Sequence, residues 1–500
     1  MTFTAADWTA LAPGLVVALA GLLAVAVDLF LPRGGSKIPL VAIAYAGVGG
    51  SAALLYQHTM EGAAKVVGFG GLLVLDGLTT LVSYAVLAAT ALLLLPADVD
   101  TRRRHIAFGE YYGLILLACS AMILLVGSND FLMVFLNLEL LSLALYVLTG
   151  VTRRNPRANE AAMKYFVTGA FATGFLLLGI SMVYGATGQL RFDLIGAALA
   201  KGPVSPLVGT GLAMVLVGFA FKIGAVPFHM WVPDVYEGAP TTTTAFMAVT
   251  VKAAGVGALV RILLEVAPAQ ADAWAGLLWW MAMATMIVGN LLAAQQTSVK
   301  RMLAWSSVAH TGYVLIALAS LVSTDGTFSA APAAAAVFYV FTYGFMTMGA
   351  FQMLVYMGHE VEVPGRSSPE WQDAEQLDDL AGVGQRRPWA ALAMTLFLVS
   401  LGGFPPTAGF VGKLFLFRAA IAQGHVSLAV VGVIASLVSL YYYLRVVVWM
   451  FMKETVTDDE RPSPWVGAVV ATSAVLTLAF GLLPDAIWYL ASWSVRGLAG

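Results

Sequence analysis

Apolar runs of about twenty residues follow one another along almost all of this 500-residue chain, separated only by short stretches of Gly, Pro and charge. A run of that length forms an α-helix long enough to cross a hydrocarbon core of about 30 Å. In lipid every backbone N–H and C=O must be satisfied internally, which leaves only helices and closed barrels. Continuous runs of this length select helices. The pattern predicts an all-α polytopic membrane protein of about fourteen transmembrane helices, at 8–31, 38–57, 72–95, 110–127, 130–150, 160–186, 206–230, 240–265, 275–296, 302–323, 331–358, 389–421, 427–452 and 464–494.

Composition agrees: 60% of residues are hydrophobic and 11% charged, too little polar surface for a soluble chain of this size. The net charge of −2 gives no field that would gather nucleic acid. The single cysteine, Cys119, excludes an intrachain disulfide and cannot by itself hold an iron–sulfur cluster. The start, MTFTAADW, lacks the basic leader of a cleaved signal, so the first run is expected to stay as the first span. The loop at His359–Arg387 is the long polar one, and no soluble domain is expected.

Loop charges predict an orientation. Alternate loops, counted from the first, carry 15 Lys and Arg (Arg33, Lys37, Arg102, Arg103, Arg104, Arg153, Arg154, Arg157, Lys300, Arg301, Arg366, Arg386, Arg387, Lys453, Arg461), against 4 (Lys65, Arg191, Lys201, Arg496) in the opposite set with the termini. The positive-inside rule then puts both termini outside, the periplasmic side of a bacterial inner membrane.

Four charges fall deep inside apolar runs: Glu139 in DFLMVFLNLELLSLALYVL, Lys222 in GLAMVLVGFAFKIGAVPF, Lys252 in AFMAVTVKAAGVGALV and Lys413 in GGFPPTAGFVGKLFLF. Each costs roughly 2.5–3.5 kcal/mol at the centre of a membrane helix, so such groups commonly mark ion or proton pathways. Burial disfavours an ammonium and a nearby carboxylate favours it. Glu139 and Lys222 are the natural pair, with Lys252 and Lys413 as further stations along a line through the membrane. His229 and His310 are secondary relay candidates because imidazole titrates near neutrality; His229 equally suits a hydrogen bond at a helix break. Asp234 and Glu237 are expected to shape a turn. Arg261, Arg418 and Arg445 are expected to snorkel from helix ends, and Asp28 and Asp76 need no special role.

Two spans carry helix-breaking residues. Gly224 and Pro227 follow Lys222 in the seventh, and Gly402, Gly403, Pro405 and Pro406 precede Lys413 in the twelfth. Proline removes a helical hydrogen bond and clashes with the preceding turn. Breaks five spans apart point to inverted repeats, giving units at 1–109 (spans one to three), 110–265 (four to eight), 275–452 (nine to thirteen) and 464–494 (fourteen). Lys252 precedes Arg261 by nine residues, as Ser436 precedes Arg445. No phosphate loop surrounds the Gly-Lys at 412–413, where Thr407 stands in place of the first glycine. No HExxH, CxxC or Gly-x-Ser-x-Gly signature occurs.

The stretches MKYFVTGAFATGFLLLGISMVYGATG from 162, FKIGAVPFHMWVPDVYEGAPTTTTAFMAVTVKAA at 221–254, KRMLAWSSVAHTGY at 300–313 and GGFPPTAGFVGKLFLF at 402–417 resemble the antiporter-like membrane subunits of the proton-translocating NADH:quinone oxidoreductase, respiratory complex I. The YEGAPTTTTAFM run and a lysine at 413 favour the N type over its paralogues. The resemblance implies two inverted five-helix repeats with broken spans seven and twelve. It implies proton translocation by Glu139, Lys222, Lys252 and Lys413, driven by quinone reduction elsewhere. Flavin, iron–sulfur clusters and quinone would belong to partner subunits, with no cofactor or metal in this chain. Its partners would be the paralogous and small membrane subunits of the complex, within the lipid bilayer. The same core occurs in multisubunit cation/proton antiporters and in a ferredoxin-linked photosynthetic relative.

Overall fold

The computed structural model describes residues 3–32, 35–62, 65–104, 106, 108–200, 205–266, 268, 271–361, 370–454 and 463–498. Arg33, Lys201, Arg366 and Arg461 of the loop-charge count lie outside the described residues, as does the middle of the long polar loop. Thirteen described helices are long and apolar enough to cross a membrane. The twelfth span is a pair of shorter helices, Pro388–Gly402 and Ala408–Ala422, which brings the number to the expected fourteen. The fourteenth expected span is divided: Pro464–Leu482 crosses, and Pro484 starts a separate helix, Asp485–Arg496. The third begins at Gly77, because residues 73–75 pair with 66–68 as an antiparallel hairpin.

Local chemistry sets the helix starts. Thr4 and Asp7 form a reciprocal capping box, and the Asp76, Asp130, Asn155, Ser205 and Ser298 side chains accept first-turn N–H groups. These donors have no partner inside the helix, so each cap satisfies one where lipid cannot.

Both breaks end in a glycine of positive φ, Gly224 (74°) after Pro206–Ile223 and Gly403 (86°) after Pro388–Gly402. A side chain is disfavoured in that left-handed turn. Pro227 and Pro406, each in a cis peptide bond, and Pro405 then keep the chain from resuming at once. It resumes at Trp231–Gly238 and Ala408–Ala422.

Packing decides which spans are central. The eighth (Thr241–Glu265) and tenth (Val299–Ala319) are buried throughout, and the eleventh (Ala331–Tyr356) nearly so. The thirteenth (Val426–Met452) instead presents Val433, Ile434, Leu437 and Tyr441 outward. At one end of the bundle, here the basic end, Arg104 forks onto Asp373 (2.6 and 2.7 Å) and reaches Asp100 (2.9 Å). Lys300 binds Glu375 (2.6 Å), and Arg301 binds Asp234 (2.8 Å) and Glu237. The Asp373 and Glu375 bonds, with Thr241 also bonding Glu375, fasten the described part of the long loop to Arg104 and to the starts of spans eight and ten, and the Arg301 pairs tie span ten to Trp231–Gly238. Burial pushes the Asp373 carboxyl up, but Arg104 and Lys300 beside it outweigh this and hold it below the usual carboxylate range.

The opposite end corrects the sequence reading of two residues. Arg261 does not snorkel: it is fully buried, and all five of its N–H groups are used. They bind Asp76 through both oxygens (2.8 and 2.9 Å), the Val126 carbonyl (3.0 Å), Thr79 (2.9 Å) and Glu265 (3.2 Å). Asp76 therefore caps the third span and also locks the eighth to it.

Candidate proton-path site

Lys222, Lys252 and Lys413 are each 4% exposed. Among the described residues none touches a carboxylate. Lys222 donates to the Ser142 hydroxyl (2.7 Å) and lies 5.5 Å from the Tyr165 ring centre. Lys252 donates to the Ser307 carbonyl (2.5 Å) and hydroxyl (2.9 Å), with its ammonium 4.6 Å above the Tyr343 ring. Lys413 donates to the Leu401 and Gly402 carbonyls (3.0 Å each), 4.5 Å from the Tyr313 ring. All three share one arrangement, neutral oxygens on one side and an aromatic face on the other.

That arrangement has a chemical consequence. A contacting carboxylate would fix the ammonium form, whereas hydroxyls, carbonyls and ring faces hold a cation more loosely. They leave the neutral amine accessible. Lys413 also shows what its helix break supplies. The last carbonyls of Pro388–Gly402 have no helical partner and carry the negative end of the helix dipole, and the ammonium sits on them.

The expected Glu139–Lys222 pair is indirect. Ser142, one turn from Glu139 on Phe131–Thr149, takes the lysine and itself donates to the Leu138 carbonyl. Half-buried Glu139 accepts from Thr173 (3.2 Å) and stands close enough to Lys222 to act on it electrostatically. A five-residue wide π turn, Met247–Val251, ends immediately before Lys252. Such turns shift the helix face by one residue and often mark functional positions.

His310 stands between Lys252 and Lys413, its ring packed on Tyr343 (5.1 Å) and Tyr313 (5.6 Å), the two rings that carry those ammonium groups. Nδ1 meets the Tyr339 hydroxyl (2.5 Å) and Nε2 the Tyr443 hydroxyl (3.3 Å). Tyr443 also bonds Ser306, adjacent to Ser307, and Tyr343 donates to the Ser307 hydroxyl (3.0 Å). Ser307 thus receives Lys252 and Tyr343 and keeps its own hydrogen to give. The Tyr236 hydroxyl interacts with it. Tyr236 lies between Asp234 and Glu237 in the sequence, so it approaches Ser307 from the basic end. Past Lys252 in the other direction the packing is apolar, around a small cavity lined by Val82, Ala85, Ala253, Val256, Gly257 and Val340.

His229 lies apart from this line. Its ring packs near Trp305 (5.4 Å) and engages the Pro227 backbone, while Nδ1 has no partner. Asp234 and Glu237 are ion-paired with Arg301, and Asp28 with Lys37 (2.5 Å). Ser142, Ser306, Ser307, Tyr313, Tyr339, Tyr343 and Tyr443 were not legible as site residues. A signal existed in the polar cluster WSSVAHTGY within an apolar span and in the i, i+4 spacing of Tyr339 and Tyr343, which puts both on one helix face.

Residues 128–439, which hold Glu139, Lys222, Lys252, His310 and Lys413, match the family described as NADH:quinone oxidoreductase/Mrp antiporter, TM. The chain belongs to that family. NADH-quinone oxidoreductase subunit N of Trichlorobacter lovleyi is 40% identical over 479 residues, 95% of this chain and 93% of that relative. Subunit N of Chloroflexus aggregans is 39% identical over 510 residues, covering 100% of this chain and 99% of its own. A chain of respiratory complex I from Thermus thermophilus with bound aureothin superposes with TM-score 0.78 at 32% identity, covering 96% of this chain and 99% of that one. A chain of the Mrp complex from Dietzia sp. DQ12-45-1b gives 0.83 at 22% identity, covering 98% and 97%. At that identity the likeness speaks for the fold alone.

Proposed function

We propose that this chain is an N-type, antiporter-like membrane-arm subunit of an NADH:quinone oxidoreductase, and that it translocates protons along Glu139, Lys222, Lys252, His310 and Lys413. The observation that carries the reading is the shared setting of the three lysines. Each is buried, free of a contacting carboxylate and held by neutral oxygens and a tyrosine face. His310 stands between the second lysine and the third, packed on the Tyr343 and Tyr313 rings that carry them. Groups in such a setting can gain and lose a proton without breaking a tight ion pair.

Quinone reduction in partner subunits supplies the driving force, and those subunits carry the flavin, clusters and quinone. The partners are the paralogous and small membrane subunits of the complex. The basic end faces the inside of a bacterial inner membrane and both termini face outward. Loop charge supports this orientation, as do the ion pairs of Arg104, Lys300 and Arg301 at one end. Two inverted repeats, 110–265 and 275–452, account for the matching glycine–proline breaks. His229 fixes the first break and is not on the proton line.

Lys252→Ala in the intact complex, in inside-out vesicles, tests the reading when NADH oxidation and lumen acidification are recorded together. Acidification should fall at least tenfold with the complex assembled, and oxidation should fall because the two are coupled. Wild-type values of both would remove Lys252 from the path. Loss of sodium–proton exchange with NADH signals intact would assign the chain to the antiporter branch of the family.

A further inference from the structure

The inner half of span nine, Met281–Ala294, is almost wholly apolar and has two buried polar side chains, Thr285 and Asn290. Thr285 has a local use: it accepts the Val226 N–H (3.0 Å) at the first helix break. Asn290 is different. Its amide nitrogen donates to the Met286 carbonyl (2.8 Å) and to the Tyr313 hydroxyl (3.4 Å), and its oxygen accepts from Tyr442 (3.0 Å). A buried amide is costly unless bonded on both sides, and here it is bonded to three helices at once.

Tyr313 also accepts from Ser436 (3.3 Å). Its hydroxyl oxygen thus takes two neutral donors while its ring face carries Lys413. Tyr442 leads back to the basic end. Three residues further along the same helix, Arg445 donates to the Ala294 (3.1 Å) and Gln296 carbonyls, where span nine ends. A polar series therefore runs from the Arg445 cap through Tyr442, Asn290 and Tyr313 to Lys413.

We propose that Asn290 is a positioning residue for Lys413, acting through the Tyr313 ring, and that spans nine, ten and thirteen form a polar branch reaching Lys413 from the basic end. This rests on Lys413 carrying protons, as proposed above. The titratable and charged groups around the junction are Lys413 on span twelve, Tyr313 and His310 on span ten, Tyr339 on span eleven, and Tyr442, Tyr443 and Arg445 on span thirteen. The inner half of span nine adds none. A carboxylate at 290 would thus face the ammonium across one ring and favour the protonated state.

The experiment uses the whole complex in inside-out vesicles and follows acidification against pH for Asn290→Asp, Asn290→Leu, Tyr442→Phe and Lys413→Ala. Asn290→Asp should move the alkaline limb of the acidification profile upward by about one pH unit, the size expected of one buried charge a ring away. The shift should persist with His310→Gln added, which separates Lys413 from the histidine. Asn290→Leu should lower acidification severalfold with normal subunit content, and Tyr442→Phe should give a smaller fall. An unmoved profile in Asn290→Asp with parental pumping in Asn290→Leu overturns the inference while leaving Lys413 on the path. Parental pumping in Lys413→Ala overturns the proton-line reading in this half, and the inference with it.

Discussion

The Asp76–Arg261 pair allows a stability prediction from geometry alone. Asp76→Asn keeps the shape of the side chain and removes its charge. Arg261 would retain Glu265 at 3.2 Å, the Thr79 hydroxyl, the Val126 carbonyl and one neutral acceptor at position 76, but lose its main counter-charge and the second of the two short bonds. Removing one partner of a buried pair typically costs about 3–5 kcal/mol. Glu265 compensates in part, so about 3 kcal/mol is expected here. Adding Arg261→Met removes the stranded cation and with it the cost of leaving a buried charge unpaired. The double variant should therefore be more stable than Asp76→Asn alone, by roughly 2 kcal/mol. Lys252 stands nine residues from Arg261 on the same helix, about 13 Å along its axis. Loosening this lock should thus reduce assembled subunit and acidification together. Subunit content on native gels and thermal inactivation of the purified complex measure the effect. A double variant less stable than either single one would refute the account of Arg261 as a cation held by Asp76.

Other outcomes follow from the same geometry. Ser307→Ala removes one of two oxygens under Lys252 and the acceptor of Tyr343; a hydrogen bond to a charged group is worth about 1.5–3 kcal/mol, so acidification should fall about tenfold or more, as quinone-linked pumping in vesicles would report. Tyr236→Phe should slow acidification severalfold while leaving assembly unchanged, and an unchanged rate would show that the Tyr236 hydroxyl does not serve Ser307. The Asp373 carboxyl is held below the usual range, so its contribution is fully present above the unfolded carboxylate range near pH 4 and is lost as pH falls through its folded value. Protection of residues 370–387 against hydrogen exchange, taken relative to the intrinsic rate at each pH, should therefore hold from pH 5 to 9 and fall only in acid; a fall near pH 6 would contradict the Arg104–Asp373 attachment. Ser142→Ala should impair acidification about as much as Lys222→Ala, because Ser142 is the hydroxyl that holds the Lys222 ammonium; parental acidification in vesicles would refute this.

Much of this was legible in the sequence because lipid leaves few alternatives. Uninterrupted apolar length yields helices and their number, since only a helix satisfies its own backbone in hydrocarbon. Gly224, Pro227, Gly403, Pro405 and Pro406 located the two breaks, because their backbone restrictions are local. Glu139, Lys222, Lys252 and Lys413 stood out because a charge in an apolar run is costly wherever the run packs. Tertiary structure decided the partners. Ser142, Ser307 and the tyrosines around His310 are ordinary membrane-helix residues until packing aims them at an ammonium, and their sequence separation from it reaches 100 residues for Tyr313 and Lys413. Arg261 and Asp76 show the same limit from the other side. Each sits near a helix end, where water is a sufficient partner by sequence, but 185 residues of intervening chain bring them together in a buried fork. One-dimensional pattern reports what each residue costs in lipid, and only the fold reports what offsets that cost.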